Sequence, residues 1–136
     1  MAKHTPYLFS EDARAQAEFY IQALGGEILS VMTHGQMPGA NEQLKDKVLH
    51  LSFVAAGTSF FMADTVTEPV NPGNGISLNL EFPNEAEARE AFDNLSAGGR
   101  VKHPFSMAFW GTFFGQFEDK FGVNWMIVTE DPNNRS

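Results

Sequence analysis

The sequence predicts an α+β fold of two β-α-β-β-β modules in tandem, which would form a curved mixed sheet around a concave cavity. The first observation is an internal repeat: a shift of 73 positions aligns the segment Phe9 to Ala15 with Phe82 to Ala88, and Gly25-Gly26 with Gly98-Gly99. The second is that both copies have the same order, namely a strand, an acidic helix start, an Ala-rich amphipathic helix and a Gly-Gly stop. A repeat of this kind indicates a duplicated module.

The first module begins with a short strand and a capped helix. Ser10-Glu11-Asp12 supplies an N-cap and an acidic first turn, and Gly25-Gly26 ends the helix as a left-handed cap would. Alternation of apolar and polar residues then predicts three further strands. The predicted strands of this module are about His4–Phe9, Glu27–Thr33, Val48–Val54 and Ser59–Ala63.

The second module repeats this order after a linker rich in proline and glycine, at about residues 65–75. We expect one domain over residues 1–136, with the first module at about 4–64, the second at about 76–130 and a frayed tail at 131–134. The predicted elements of the second module are strands Ile76–Phe82, Val101–Phe105, Phe113–Glu118 and Asn124–Thr129, and a helix at about Glu85–Ala97.

Composition excludes several classes of function. The formal net charge of −8 argues against binding to nucleic acid or to an anionic membrane, because both need clustered Lys and Arg. No apolar run approaches the length of a membrane span, and the N-terminus lacks a signal-peptide pattern. With no cysteine, there is no disulfide, thiol nucleophile or thiolate metal site. A cytoplasmic protein is therefore expected.

Strand parity predicts which side chains line the face of each sheet that its helix leaves open. That face is where chemistry would take place, because the other face packs against the helix. The side chains assigned to the open faces are His50, Ser52, Phe60, Met62, Asp64, Ser77, Asn79, Glu81, Asn124, Met126 and Val128, while Trp125 is assigned to the core.

Several short motifs, in order, resemble the PhnB-like family of the vicinal-oxygen-chelate superfamily, which has the glyoxalase and bleomycin-resistance fold. The most specific runs from Phe109-Trp110 through Phe114-Gly115 to the segment Asp119 to Ile127. The others are Pro6-Tyr7-Leu8-Phe9, Phe19-Tyr20, Leu24 to Glu27, Gly35-Gln36-Met37-Pro38 and Phe61-Met62-Ala63-Asp64. Families of this kind often carry a ubiquinone-methyltransferase label. The sequence does not support it, because no strand is followed by a Gly-rich loop and an acidic residue.

The resemblance also implies four positions at which the superfamily's enzymes hold a divalent metal with His, Glu or Gln. Here they carry His4, Met62, Ser77 and Met126. Only His4 is a strong ligand for Zn, Ni, Mn or Fe, because a thioether suits soft copper and a serine hydroxyl is a poor ligand. We therefore expect no metal cofactor, although a shifted site near His4 stays open as an alternative.

The candidate site residues each have a functional and a structural interpretation. His50 is a possible acid, base or donor in a cavity, or a histidine satisfied by backbone groups. Asp64 could assist it or cap a turn, Trp110 could cap the cavity or simply pack, and the two methionines could form an adaptable floor or fill the core. The predicted pocket is Tyr7, His50, Phe60, Met62, Asp64, Ser77, Asn79, Trp110 and Met126.

The function predicted from these residues is metal-independent binding of a small, partly apolar molecule, without a cofactor. The alternative is a lyase or isomerase of the glyoxalase kind, with a shifted metal site or with His50 and Asp64 as acid and base. A structural or regulatory dimer without a ligand is a third possibility. Because each sheet would have open edges and an open face, we expect a homodimer.

Overall fold

Each half of the chain folds in the predicted order β-α-β-β-β in the computed structural model, which describes residues 1–131. Contacts divide the chain into two units, Met1–Val70 and the part from Asn71 onward, so the boundary falls inside the predicted linker. The predicted α+β fold of two tandem modules is confirmed. The predicted tail was placed at residues 131–134, and its part beyond Asp131 lies outside the described residues.

The first module contains helix α1 and a four-stranded mixed sheet, sheet 1. Its elements are β1 (Tyr7–Ser10), α1 (Ala13–Leu24), β2 (Gly26–Thr33), β3 (Val48–Ala55) and β4 (Thr58–Asp64), with short 3₁₀ turns at His34–Gln36 and Glu42–Leu44. The strand order is β1-β4-β3-β2; β1 and β4 are parallel, and the other neighbours are antiparallel.

The second module repeats this topology with helix α2 and a second four-stranded sheet, sheet 2. Its elements are β5 (Leu78–Phe82), α2 (Glu85–Ser96), β6 (Arg100–Met107), β7 (Phe113–Glu118) and β8 (Asn124–Thr129). The strand order is β5-β8-β7-β6, with β5 and β8 parallel. Two predicted strands are shorter than expected at their starts, so His4 and Ser77 lie before β1 and β5 rather than in them.

Each helix begins with a side-chain cap, which the sequence predicts for the first helix within Ser10-Glu11-Asp12. The Asp12 carboxylate accepts a hydrogen bond from the Ala15 N–H, and the Asn84 amide oxygen accepts one from the Glu87 N–H. These caps satisfy backbone donors that have no partner in the first turn. The caps are 72 positions apart, whereas the Gly pairs are 73 apart, because Ala97 adds one residue after α2.

The core of the first module lies between α1 and one face of sheet 1. Tyr20 of α1 contacts the ring of Phe53, and Phe53 stacks on Phe60 with ring centroids 5.0 Å apart. On the same face, Leu51 stands opposite Met62, and both are fully buried. Burying each such side chain contributes about 1.5–3 kcal/mol.

The core of the second module lies between α2 and one face of sheet 2. The ring of Phe92 in α2 meets Phe117 edge-on, with centroids 5.1 Å apart, and Trp125 stands opposite Phe117. Trp125 is fully buried, which confirms its assignment to the core. A Cβ at Gly115 would lie 2.5 Å from the Phe92 ring, so a glycine is needed for this packing.

Neither helix in residues 1–131 combines the length and the apolar character that crossing a membrane would need.

The second glycine of each pair has the same packing role in both modules. A Cβ on Gly26 would lie 1.8 Å from the carbonyl oxygen of Val54, and a Cβ on Gly99 would lie 2.1 Å from that of Glu118. Both contacts are with backbone of the neighbouring strand, which cannot move aside without breaking the sheet. The Gly-Gly pair therefore recurs in both modules because the backbone lies very close to the neighbouring strand at the second glycine.

We expect Gly26→Ala to lower the free energy of unfolding by at least about 2–3 kcal/mol, because overpacking against backbone cannot relax cheaply. Urea denaturation measures this. Gly75→Ala is the matched control, since a Cβ at Gly75 meets nothing within 4 Å and its φ is not positive. A Gly26→Ala variant as stable as the Gly75→Ala variant would contradict the packing argument.

Candidate functional site

Four rings form a cluster on the face of sheet 1 that α1 does not cover, here called the open face. Tyr7 and Phe9 come from β1, His50 from β3 and Phe61 from β4. The ring centroids of His50 and Phe61 are 5.0 Å apart, those of Tyr7 and Phe9 are 5.3 Å apart, and those of Tyr7 and Phe61 are 6.1 Å apart. Tyr7 remains 44% exposed and Phe9 61% exposed. We call these four residues the aromatic cluster.

A hydrogen bond joins two members of the cluster. The Tyr7 hydroxyl and His50 Nδ1 lie 3.3 Å apart. When the hydroxyl donates, Nε2 of the imidazole carries the proton and can donate onward, while the Tyr7 oxygen keeps a lone pair. When Nδ1 donates instead, the hydroxyl proton is available and Nε2 accepts. In both neutral tautomers the pair can donate to a bound molecule and accept from it.

The remainder of the open face mixes polar and apolar side chains and is almost uncharged. Ser30 and Ser52 stand opposite each other, with their hydroxyl oxygens 2.8 Å apart, and Met32 stands opposite His50. The register places Glu27 opposite Val54 on this face, and none of the side chains that it assigns here is Lys or Arg.

Asp64 is a structural residue on the opposite face. Its two carboxylate oxygens accept from the backbone N–H groups of Ala13 and Val48, each at 2.7 Å. Asp64 follows Met62 in the alternation that faces α1, whereas His50 points away from α1. The hypothesis that His50 and Asp64 act together as acid and base is therefore wrong, because the sheet lies between them.

The assignment of Phe60 and Met62 to the open face was also wrong. Both face α1 and are at most 1% exposed, so they cannot contact a ligand on the other side. The two adjacent phenylalanines in β4 leave the parity ambiguous in the sequence. It is Phe61, opposite both Tyr7 and Ser52, that faces outward.

The two methionines do not occupy matching places. Met62 of β4 pairs with Leu8 of β1, whereas in the second module Leu80 of β5 pairs with Ile127 of β8, so Ile127 rather than Met126 is the counterpart of Met62. Met126 lies between the fully buried Trp125 and Ile127 and so points to the open face of sheet 2. A floor made from both methionines is excluded.

The other predicted pocket residues belong to the second module. Asn79 stands opposite Met126, and Ser77 is exposed just before β5. Trp110 lies in the β6–β7 turn, where its Nε1–H donates to the Thr112 hydroxyl at 2.6 Å. Trp110 remains 55% exposed.

The open face of sheet 2 also has a histidine ring beside a phenylalanine ring. The ring centroids of His103 and Phe114 are 4.8 Å apart.

The most specific sequence motif is structural rather than catalytic. Asp119 is 2% exposed, and its Oδ1 accepts from the N–H groups of Phe121 and Val123 at 2.8 and 3.0 Å. Its Oδ2 accepts from the indole N–H of Trp125 at 2.8 Å. This carboxylate closes the β7–β8 turn over the core, which accounts for the spacing of the motif.

The residues at the four metal positions of the superfamily do not fit a divalent metal. Met62 is buried under α1, while His4 and Ser77 lie outside the strands that they were assigned to. Across residues 1–131, no group of three or more His, Asp or Glu is placed to hold a metal ion.

A separate groove of about 300 Å³ opens at the N-terminus of α1. Three of its four acidic residues are already used by the fold: Asp64 and Asp12 accept from the backbone of α1, and Glu11 accepts from the Val70 N–H at 2.7 Å. The lining residues are Glu11, Asp12, Arg14, Gln43, Asp46, Lys47, Val48 and Asp64.

Comparison with known proteins supports the resemblance found in the sequence. A family model described as 3-demethylubiquinone-9 3-methyltransferase matches residues 2–128. Protein YjdN of Escherichia coli (strain K12) is 29% identical over 135 residues, covering 90% of this chain and 92% of that protein.

Solved structures confirm the fold. Protein PA1353 from Pseudomonas aeruginosa is 32% identical with a TM-score of 0.82, covering 96% of this chain and 98% of that one. The PhnB protein from Bacillus cereus is 24% identical with a TM-score of 0.75, covering 95% and 100%. Members of the glyoxalase/bleomycin-resistance/dioxygenase superfamily share the fold at TM-scores of 0.68 and 0.58 and identities of 14% and 19%.

We expect Asp64→Ala to lower the free energy of unfolding by about 2–4 kcal/mol, because it leaves two backbone donors without their acceptor. His50→Ala should cost less than about 1 kcal/mol, since this side chain lies outside the core. Urea denaturation of both variants tests this division. Equal losses of stability would show that His50 is also structural.

Proposed function

Because this chain belongs to the PhnB-like family, whose model is described as 3-demethylubiquinone-9 3-methyltransferase, we propose that it binds a small, partly apolar molecule without a metal. The observation that carries this proposal is the aromatic cluster. Two of its rings, Tyr7 and Phe9, are exposed on this face, although such rings usually lie in a core or at an interface.

The cluster offers both binding energy and orientation. Covering Tyr7, Phe9 and Phe61 with a planar molecule would contribute about 25 cal/mol for each Å² of apolar surface removed from water. The hydrogen-bonded pair of Tyr7 and His50 then provides a polar contact at the edge of the rings. An apolar surface with a few convergent polar groups is the usual form of a small-molecule site.

Methyl transfer is not part of the proposal. The family description names that reaction, but a shared fold does not confer a shared reaction. The sequence contains no strand followed by a Gly-rich loop and an acidic residue, the pattern that would indicate a nucleotide-derived cofactor.

One observation favours an enzyme as the second candidate. His50 is hydrogen-bonded to a hydroxyl on an open face, which is an arrangement that can move a proton. The candidate reaction is a lyase or isomerase step in which His50 acts as acid or base and Tyr7 orients it. To favour an enzyme over a binding protein, the site itself would have to hold paired titrating groups beside a bound substrate.

The homodimer and the cytoplasmic location stay predictions. The edge strands β2 and β6 carry exposed apolar side chains, Leu29 and Met32 on the first and Val101 and Met107 on the second. These are compatible with contact between copies of the chain.

We expect the neutral probe tryptophol to bind to the aromatic cluster and to shift the backbone NMR signals of Tyr7, His50 and Phe61. Phe61→Leu should weaken its affinity about 3- to 10-fold, because it removes a ring that the probe packs against. Phe114→Leu, which alters the comparable His103–Phe114 pair of sheet 2, is the control. Equal weakening in both variants, or no shifts in sheet 1, would contradict the proposed site.

We expect EDTA to leave the melting temperature unchanged within error. A metal bound at a thousandfold excess over its dissociation constant would stabilise the native state by about 4 kcal/mol. Differential scanning calorimetry before and after chelation measures this, together with metal analysis of the purified protein. Stoichiometric metal that is lost together with stability would favour the enzyme and make His4 the first residue to test.

A further inference from the structure

We infer that the open face of sheet 1 selects a small aromatic molecule carrying a positive charge, such as a protonated aryl-alkyl amine. This inference rests on the proposed function, since it names the class of ligand for the same surface. It follows from the charges on that face, the orientation of its rings and the position of its hydrogen-bond acceptors.

The charge of the face excludes an anion as the preferred ligand. Binding an anion needs Arg, Lys or free backbone N–H groups, and the register assigns no Lys or Arg to this face. The N–H groups at the start of α1 lie on the other side of the sheet, where Asp64 and Asp12 accept from them. The single acidic side chain on the face is Glu27, and the chain as a whole carries a net charge of −8.

The rings of the cluster suit a cation. The face of an aromatic ring is negative, and it attracts an ammonium group that lies within about 6 Å of the ring centroid. Tyr7 lies within 5.3 Å of Phe9 and 6.1 Å of Phe61, centroid to centroid. A single ammonium group placed among them can therefore contact more than one ring, while the aromatic part of the ligand covers the remaining surface.

Hydroxyl acceptors flank the rings. Ser52 stands directly opposite Phe61 in the register and shares a 2.8 Å hydrogen bond with Ser30. The Tyr7 oxygen or His50 Nε2 provides a further acceptor in each neutral tautomer. An ammonium group carries only donors, so these neutral acceptors match it.

The test compares three probes that share one indole ring, namely tryptamine, tryptophol and indole-3-propionate, in calorimetric titrations at pH 8 with binding located by NMR. We expect tryptamine to bind to the aromatic cluster about 3- to 30-fold more tightly than tryptophol. Indole-3-propionate should bind most weakly. Phe61→Leu should reduce the preference for tryptamine, whereas Phe114→Leu should not, and neither variant changes the net charge.

If tryptamine and tryptophol bind equally to the cluster, the selection for a cation is wrong while the binding function stands. If no probe shifts signals in sheet 1, the proposed function falls as well.

Discussion

Each sheet of this protein has one helix, and that helix can cover only one of its two faces. Because successive side chains of a strand point to opposite faces, the position of the helix decides whether a residue belongs to the core or faces outward. Leu51, Phe53, Phe60 and Met62 build the core of the first module because α1 lies over them. The outward residues of the same strands, His50 and Phe61 among them, then form a second aromatic surface that α1 does not cover.

The carboxylates that the sequence makes prominent serve the backbone. Asp64 ties the first turn of α1 to the start of β3, and Asp119 ties the β7–β8 turn to the indole of Trp125. A charged oxygen that accepts two or three N–H groups strengthens a turn and is costly to replace. These bonds give a structural reason for Asp64 and Asp119 in the motifs that identify the family.

The chemistry available on the open face of sheet 1 follows from the side chains that are not used by the core or by turns. The face has exposed rings, paired hydroxyls and one histidine, and the strand register gives it no Lys or Arg. Such a surface favours binding through apolar contact and the ring faces. Proton transfer through His50 and Tyr7 is the reaction that the same groups could support, and it does not require a metal.

The sequence by itself determined the duplicated modules, both helices, the cap of the first helix, most of the strands and the core position of Trp125, because these depend on local hydrophobic periodicity and on cap and turn residues. It also singled out Tyr7 and His50 as site residues. Only the tertiary structure decided the parity of β4, where Phe60-Phe61-Met62 is apolar throughout and offers no alternation to read. Packing under α1 buried Phe60 and Met62, and left Phe61 beside His50. The role of Asp64 was likewise decided by which backbone donors the fold brought to it, since a carboxylate is equally suited to a helix cap and to catalysis.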